Sequence, residues 1–233
     1  MRDLLDEEAI RRNLEAVEEG MNRAAGKAGR AVGDITLLAV TKTWPTEVLE
    51  RAFALGLRDF GENRVQELEE KVPALSEEIR WHLIGPLQKN KVRKVIPLAG
   101  TIHSVDRLSL AERMSRIAGE EGLTRDVFWQ VNLAGETQKA GFSTEELRQL
   151  AGQLWEMPNL NPQGLMIIPP FDPYPEAARA SFAGLREFRD ELEGELGERL
   201  PELSMGMSHD YEVAIEEGAT QVRVGSALFG KRG

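Results

Sequence analysis

Ile35-Thr36-Leu37-Leu38-Ala39-Val40-Thr41 is the most apolar run near the start of the chain, and lysine (Lys42) follows it directly. Seven residues rich in leucine and β-branched side chains, with no polar alternation, read as a strand covered on both faces. Strands of that kind lie in parallel sheets, and a parallel neighbour needs a helical crossover. The rest of the chain supplies the alternation. After residues 35–41 come β-rich runs at 57–61 (LRDFG), 80–85 (RWHLIG), 101–105 (TIHSV), 127–133 (VFWQVNL), 164–168 (GLMII), 202–208 (ELSMGMS) and 220–226 (TQVRVGS). Amphipathic stretches lie between them: Thr46 to Ala54, Leu108 to Glu120, Thr144 to Trp155, Pro175 to Leu196 and Tyr211 to Glu217. Eight strands with helical crossovers predict an α/β fold, a (β/α)8 TIM barrel, with a doubly wound open sheet as the competing arrangement. An extra N-terminal helix is expected over Asp6 to Ala28, where Ile10, Leu14, Val17 and Met21 recur three or four residues apart.

Composition bounds the remaining choices. The 233 residues suit one barrel, and no linker or low-complexity stretch interrupts them, so residues 1–233 are expected to form a single domain. With 29 basic and 39 acidic residues the formal charge is −10, which disfavours nucleic acid and anionic membranes as partners. The chain has no cysteine, so thiolate catalysis, disulfides and cysteine-bound metals are excluded. The opening residues Met1 to Glu8 have no apolar signal region, and no run is long enough to span a bilayer, so the expected location is the cytoplasm. An acidic surface without an exposed apolar helix face is compatible with a monomer.

In a barrel the useful residues stand at the C-terminal ends of the strands. Lys42, Asn63, Ser104, Asn132, Ser208, Gly225 and Ser226 do so. A lysine amine drawn into a dry barrel mouth loses hydration and becomes nucleophilic toward aldehydes, whereas one on the rim stays solvated. Gly225-Ser226 precedes Ala227-Leu228-Phe229-Gly230, a candidate short helix whose first N–H groups suit a phosphate. Ser208 either joins that phosphate cup or caps the helix that starts near Asp210. Arg223, between two valines of the last run, needs an acceptor: a pyridine nitrogen or a buried carboxylate would serve. The prolines of Ile168-Pro169-Pro170-Phe171-Asp172-Pro173-Tyr174-Pro175 are expected to stiffen the rim.

His82, His103 and His209 are read as satisfied or solvated histidines, with no metal site among them. The basic run Lys89 to Lys94 is read as a solvated helix face.

Five ordered segments carry a further likeness. Ala39-Val40-Thr41-Lys42-Thr43, Phe60-Gly61-Glu62-Asn63-Arg64, the stretch Trp81 to Lys91, Leu203 to Ser208, and Val222 to Gly230 resemble the signatures of the pyridoxal phosphate homeostasis protein family. The likeness covers nearly the whole chain. It implies a barrel like the N-terminal domain of alanine racemase, with pyridoxal 5′-phosphate (PLP) as cofactor on an imine to Lys42. It further implies phosphate around Ser208, Gly225 and Ser226, Arg223 facing the pyridine nitrogen, and Asn63 beside the cofactor. Thr41, Trp44 and Ser226 depart from the family's commonest residues, and two of those swaps keep a hydroxyl. Related racemases take a second base, a tyrosine, from a further domain. Only Tyr174 and Tyr211 occur here, so the expectation is a B6 carrier with no catalytic residue, delivering PLP to PLP-dependent apo-enzymes. A PLP-dependent racemase or decarboxylase is the alternative, and an aldolase-like use of Lys42 is a third.

Overall fold

The computed structural model describes residues 6–133 and 140–230. Five residues of the charged N-terminal stretch and the last three of the chain lie outside the described residues. Eight parallel strands close into one barrel in chain order. They are β1 (Thr36–Val40), β2 (Asp59–Glu62), β3 (Arg80–Leu83), β4 (Thr101–Val105), β5 (Arg125–Gln130), β6 (Leu160–Met166), β7 (Glu202–Met207) and β8 (Gln221–Val224). The helices are α1 (Glu7–Lys27), α2 (Thr46–Ala54), α3 (Val65–Lys71), α4 (Val92–Val95), α5 (Leu108–Glu120), α6 (Thr144–Trp155), α7 (Arg179–Leu196), α8 (Tyr211–Glu216) and α9 (Ser226–Phe229). The open-sheet alternative is excluded by the pairing of β1 with β8, which sets Ala39 against Val224.

Most strands differ from the expected runs by a residue or two at an end, and β6 and β5 differ most. β6 starts four residues earlier than GLMII because Pro162, which cannot donate to a ladder, sits at a register shift against β5 between Val127 and Phe128. β5 spans 125–130 rather than 127–133; just beyond it, among the described residues, Val131 N–H donates to the Met166 carbonyl at 2.8 Å and an isolated bridge joins Val131 to Phe142. The helix expected from Pro175 begins as a 3-10 turn, Pro175–Ala178, and becomes α-helical at Arg179.

α1 covers the sector that the four-residue α9 is too short to fill, packing on α8, α9 and α2. Asp6 caps it by accepting from the Ala9 N–H, and Ile10, Leu14, Val17 and Met21 form its buried stripe. Asn13 donates to the Leu228 carbonyl at 2.8 Å, so this helix braces α9 directly. The basic run at 89–94 forms a 3-10 turn and α4, where Arg93 pairs with Glu120 and Glu121 and Lys94 with Glu69. Two of its four cations thus pair with neighbouring segments. Among the described residues no helix is long and apolar enough to cross a membrane.

Between the strands and the helices lies one continuous apolar core. The lumen is different. Among the described residues, Leu38, Val40 and Ile84 form a separate apolar cluster inside it, and polar side chains such as His82, His103, Ser204 and Arg223 are buried there too.

Candidate functional site

Closure of the barrel makes neighbours of segments nearly two hundred residues apart. Lys42 stands half-buried in the turn leaving β1. Gly225, just past β8, is pressed against Val40, and a Cβ there would lie 3.3 Å from both the Val40 Cβ and its carbonyl oxygen. The lysine turn is therefore adjacent to the start of α9. On the other side, Ser208 follows β7, and its hydroxyl oxygen accepts from the N–H of Gly225 at 3.0 Å and of Ala227 at 3.2 Å. Ser208 thus caps α9 and not the helix at Asp210; Asp210 instead accepts from the Met207 N–H at 2.6 Å. A hydroxyl oxygen that accepts two N–H bonds keeps its own proton for an outside acceptor, so Ser208 presents a donor at the positive end of α9. Gly206, at φ +90, makes this possible. Its backbone lies in the left-handed region, and a Cβ would stand 2.5 Å from that of Ala214.

The turn carrying Lys42 is held from below. Thr43 adopts φ +67, a strained conformation for a β-branched residue, and Trp44 N–H closes the turn on the Thr41 carbonyl at 3.0 Å. Buried Lys71 donates to the Thr41 carbonyl at 3.0 Å, to Glu62 at 2.7 Å and to Glu67 at 2.9 Å. Glu67 in turn accepts from the Thr43 N–H at 2.5 Å, and Thr41 donates its hydroxyl to Glu62 at 2.7 Å. Burial pushes the Glu62 carboxyl upward against the opposing pull of Lys71 and Thr41. Sequence reasoning did not find this network, because a lysine in a short charged helix carries no local mark of burial.

Asn63 is half-buried at the end of β2. Its carbonyl touches Gly85 so closely that a Cβ on Gly85 would come within 2.2 Å, and the Gly85 carbonyl accepts from the Ser104 hydroxyl at 2.7 Å. Arg223 lies in the lumen one layer below the mouth. Its Nη1 donates to Ser204 Oγ at 2.7 Å and its Nη2 to the Ile167 carbonyl at 2.8 Å. Among the described residues it makes no salt bridge to a carboxylate, so the ion-pair alternative does not hold. Burial pulls its guanidinium down to about 10, with Asp210 opposing, and it remains a cation at neutral pH.

His82 and His103, read from sequence as separate satisfied histidines, are partners. Their Nδ1 and Nε2 atoms lie 3.0 Å apart. Both occupy lumen-facing positions on adjacent strands, a juxtaposition that parallel register could have revealed. Among the described residues no group of three or more acidic or histidine side chains could hold a metal ion. His209 is exposed and tilts toward Phe171 at 6.0 Å, on the proline-stiffened rim loop where Phe171 and Tyr174 are the most exposed aromatic side chains.

The donor set fits a phosphorylated aldehyde: a lysine at a strand end, a hydroxyl proton at a helix start, and a buried cation in the lumen below. The family model of the alanine racemase N-terminal domain matches residues 5–233. The pyridoxal phosphate homeostasis protein of Aquifex aeolicus (strain VF5) is 46% identical over 220 residues, covering 94% of this chain and 96% of that protein. A protein of the same name from Pseudomonas aeruginosa is 46% identical over 226 residues, with 96% of each covered. Among solved structures, PipY of Synechococcus elongatus PCC7942 with PLP bound gives a TM-score of 0.82 at 41% identity, covering 91% of this chain and 100% of that one.

Proposed function

The chain belongs to the pyridoxal phosphate homeostasis protein family, and on that premise we propose that it binds PLP at the barrel mouth, holds it on Lys42 and releases it again, as a cytoplasmic, monomeric B6 carrier. The observation that carries this reading is the adjacency of the Lys42 turn to Gly225 and the Ser208-capped α9. Residues 1–233 act as one cofactor-binding domain. When bound, PLP supplies an aldehyde that a lysine amine can attack and a phosphate that a helix start can hold.

The chain's own residues then divide the work. Lys42 is the attachment point, and the strained turn under it keeps its backbone in place. Ser208, Gly225 and Ser226 receive the phosphate, with Ser208 donating the proton that its capping role leaves unused. Asn63 lines the mouth beside the cofactor. Arg223 can only donate, so a pyridine nitrogen facing it stays unprotonated, and the ring is a poor store for carbanion charge. That property suits storage. The relatives at 46% identity are named for homeostasis, which supports a carrier that hands PLP to apo-enzymes. Neither tyrosine supplies an obvious second base: Tyr211 packs its hydroxyl against Gly20 of α1, and Tyr174 stands out on the rim loop.

The test is retention. Unaltered protein mixed with PLP and passed through gel filtration should carry a visible absorbance band, and Lys42→Ala should elute without it while melting at the same temperature. A Lys42→Ala protein that retains the same band refutes the reading.

A further inference from the structure

A line of hydrogen bonds runs down the lumen from Arg223 to the opposite end of the barrel. Arg223 Nη1 donates to Ser204 Oγ at 2.7 Å; Ser204 Oγ lies 2.8 Å from His103 Nδ1; His103 Nε2 lies 3.0 Å from His82 Nδ1; and His82 Nε2 lies 3.2 Å from Asp59 Oδ1. Arg80 closes the far end, its Nε donating to Asp59 at 2.7 Å. The step from His103 on β4 to Ser204 on β7 joins strands that are not neighbours, so the line crosses the lumen itself.

Proton counting gives the line one direction. Arginine only donates, so Ser204 accepts from Arg223. Among the described residues the only other partner of Ser204 Oγ is His103 Nδ1, and the serine proton goes there. His103 is fully enclosed, and burial beside His82 and Arg223 holds it neutral. A neutral ring that accepts at Nδ1 must donate from Nε2, here to His82 Nδ1. His82 by the same logic donates from Nε2 to the Asp59 carboxylate, which is ionised.

We propose that Ser204, His103, His82 and Asp59 form a positioning relay that fixes the orientation of the Arg223 guanidinium toward the cofactor ring, anchored on a carboxylate at the far end of the barrel. It rests on the reading that PLP occupies the mouth with its ring nitrogen at Arg223. Hydrocarbon fills the Leu38, Val40 and Ile84 part of the lumen without desolvating any polar group. A polar line ending in buried charges has no such advantage for stability, and what it supplies is a unique arrangement. Stacking of His103 on Phe128, with centroids 4.5 Å apart, and the second bond from Arg223 to the Ile167 carbonyl leave the line little room to rearrange.

Two measurements test the relay. In cofactor-free protein, long-range nitrogen NMR should find both His82 and His103 neutral and protonated on Nε2; a ring protonated on Nδ1, or on both nitrogens, overturns the proposal. In PLP-loaded protein, Ser204→Ala should shift the visible band and speed cofactor release about fivefold to tenfold, in the usual range of coupling between linked sites. His82→Phe, remote from the mouth, should move both readouts in the same direction. Loaded variants with unaltered band and release overturn it too. Should the unaltered protein show no band at all, the PLP reading fails, and the NMR measurement still decides the relay.

Discussion

The indole of Trp44 tilts against the ring of Phe229, centroids 6.0 Å apart, so the turn that carries Lys42 and the last residue of α9 rest on one another. The Lys42 turn and α9 are thus one mechanical unit, joined again below by the pairing of β1 with β8. On the proposed reading, binding energy gained by a phosphate at α9 is available to orient Lys42, as a carrier of a two-ended ligand requires.

Ser208 tests the phosphate end. Replacing it with alanine strips the N–H groups of Gly225 and Ala227 of their acceptor, an N-cap loss worth about 1 kcal/mol. Urea denaturation of Ser208→Ala should show that decrease. PLP titration should show about tenfold weaker binding, because a charge-assisted bond to phosphate is lost as well. Unchanged affinity would remove Ser208 from the phosphate site.

Lys71 tests the support under the turn. Lys71→Met leaves Glu62 and Glu67 without their shared cation, and orphaning a buried carboxylate should cost about 3 to 5 kcal/mol by denaturation. Adding Glu62→Gln should recover a large part of it, since a neutral amide still accepts from Thr41. A neutral Lys71→Met single variant would contradict the account of this pair.

Asp59 sets an acid limit. Burial opposes its ionisation, but hydrogen bonds from His82 and Arg80 outweigh that and hold the carboxyl down to about 2. Its folded value lies below its unfolded one, so the stabilisation is complete above the ordinary aspartate range and is lost as pH falls from about 4 toward 2. Allowing for solvent near the rim, the loss should be about 1 to 2 kcal/mol. Stability measured by urea across that window should fall by this amount in the unaltered protein and more shallowly in Asp59→Asn. Parallel slopes would show that Asp59 is not the group responsible.

Racemase chemistry has its own measurement. Loaded protein incubated for days with L-alanine should yield no D-alanine above a PLP-only control by chiral chromatography. Sustained turnover would move the reading to the amino-acid racemase alternative.

The barrel was legible because its signals are local. Runs such as 101–105 and the helices at 46–54, 108–120 and 144–155 have the observed boundaries, each set by apolar periodicity and a clean stop. Pro162 hid the start of β6, since a proline argues against a strand wherever a register shift cannot be foreseen. The candidate residues stand at strand ends for the same reason: Asn63, Ser208 and Gly225 follow β2, β7 and β8 directly, and Lys42 stands two residues past β1. What lay beyond the sequence were relations across the barrel. Neither the burial of Lys71 nor the meeting of His103 with Ser204, 101 residues apart, leaves a mark in composition or spacing. For Ser208 the sequence offers either the cup or the helix at Asp210, because its bonds to Gly225 and Ala227 depend on how β7 pairs with β8 and not on local spacing.

The attachment itself can be read from the chain. Loaded protein reduced with borohydride, digested and analysed by mass spectrometry should carry the pyridoxyl group on the peptide containing Lys42 and be unmodified at Lys71, which is buried in its ion pairs. A reduced adduct on another lysine, or none on Lys42, would contradict the account.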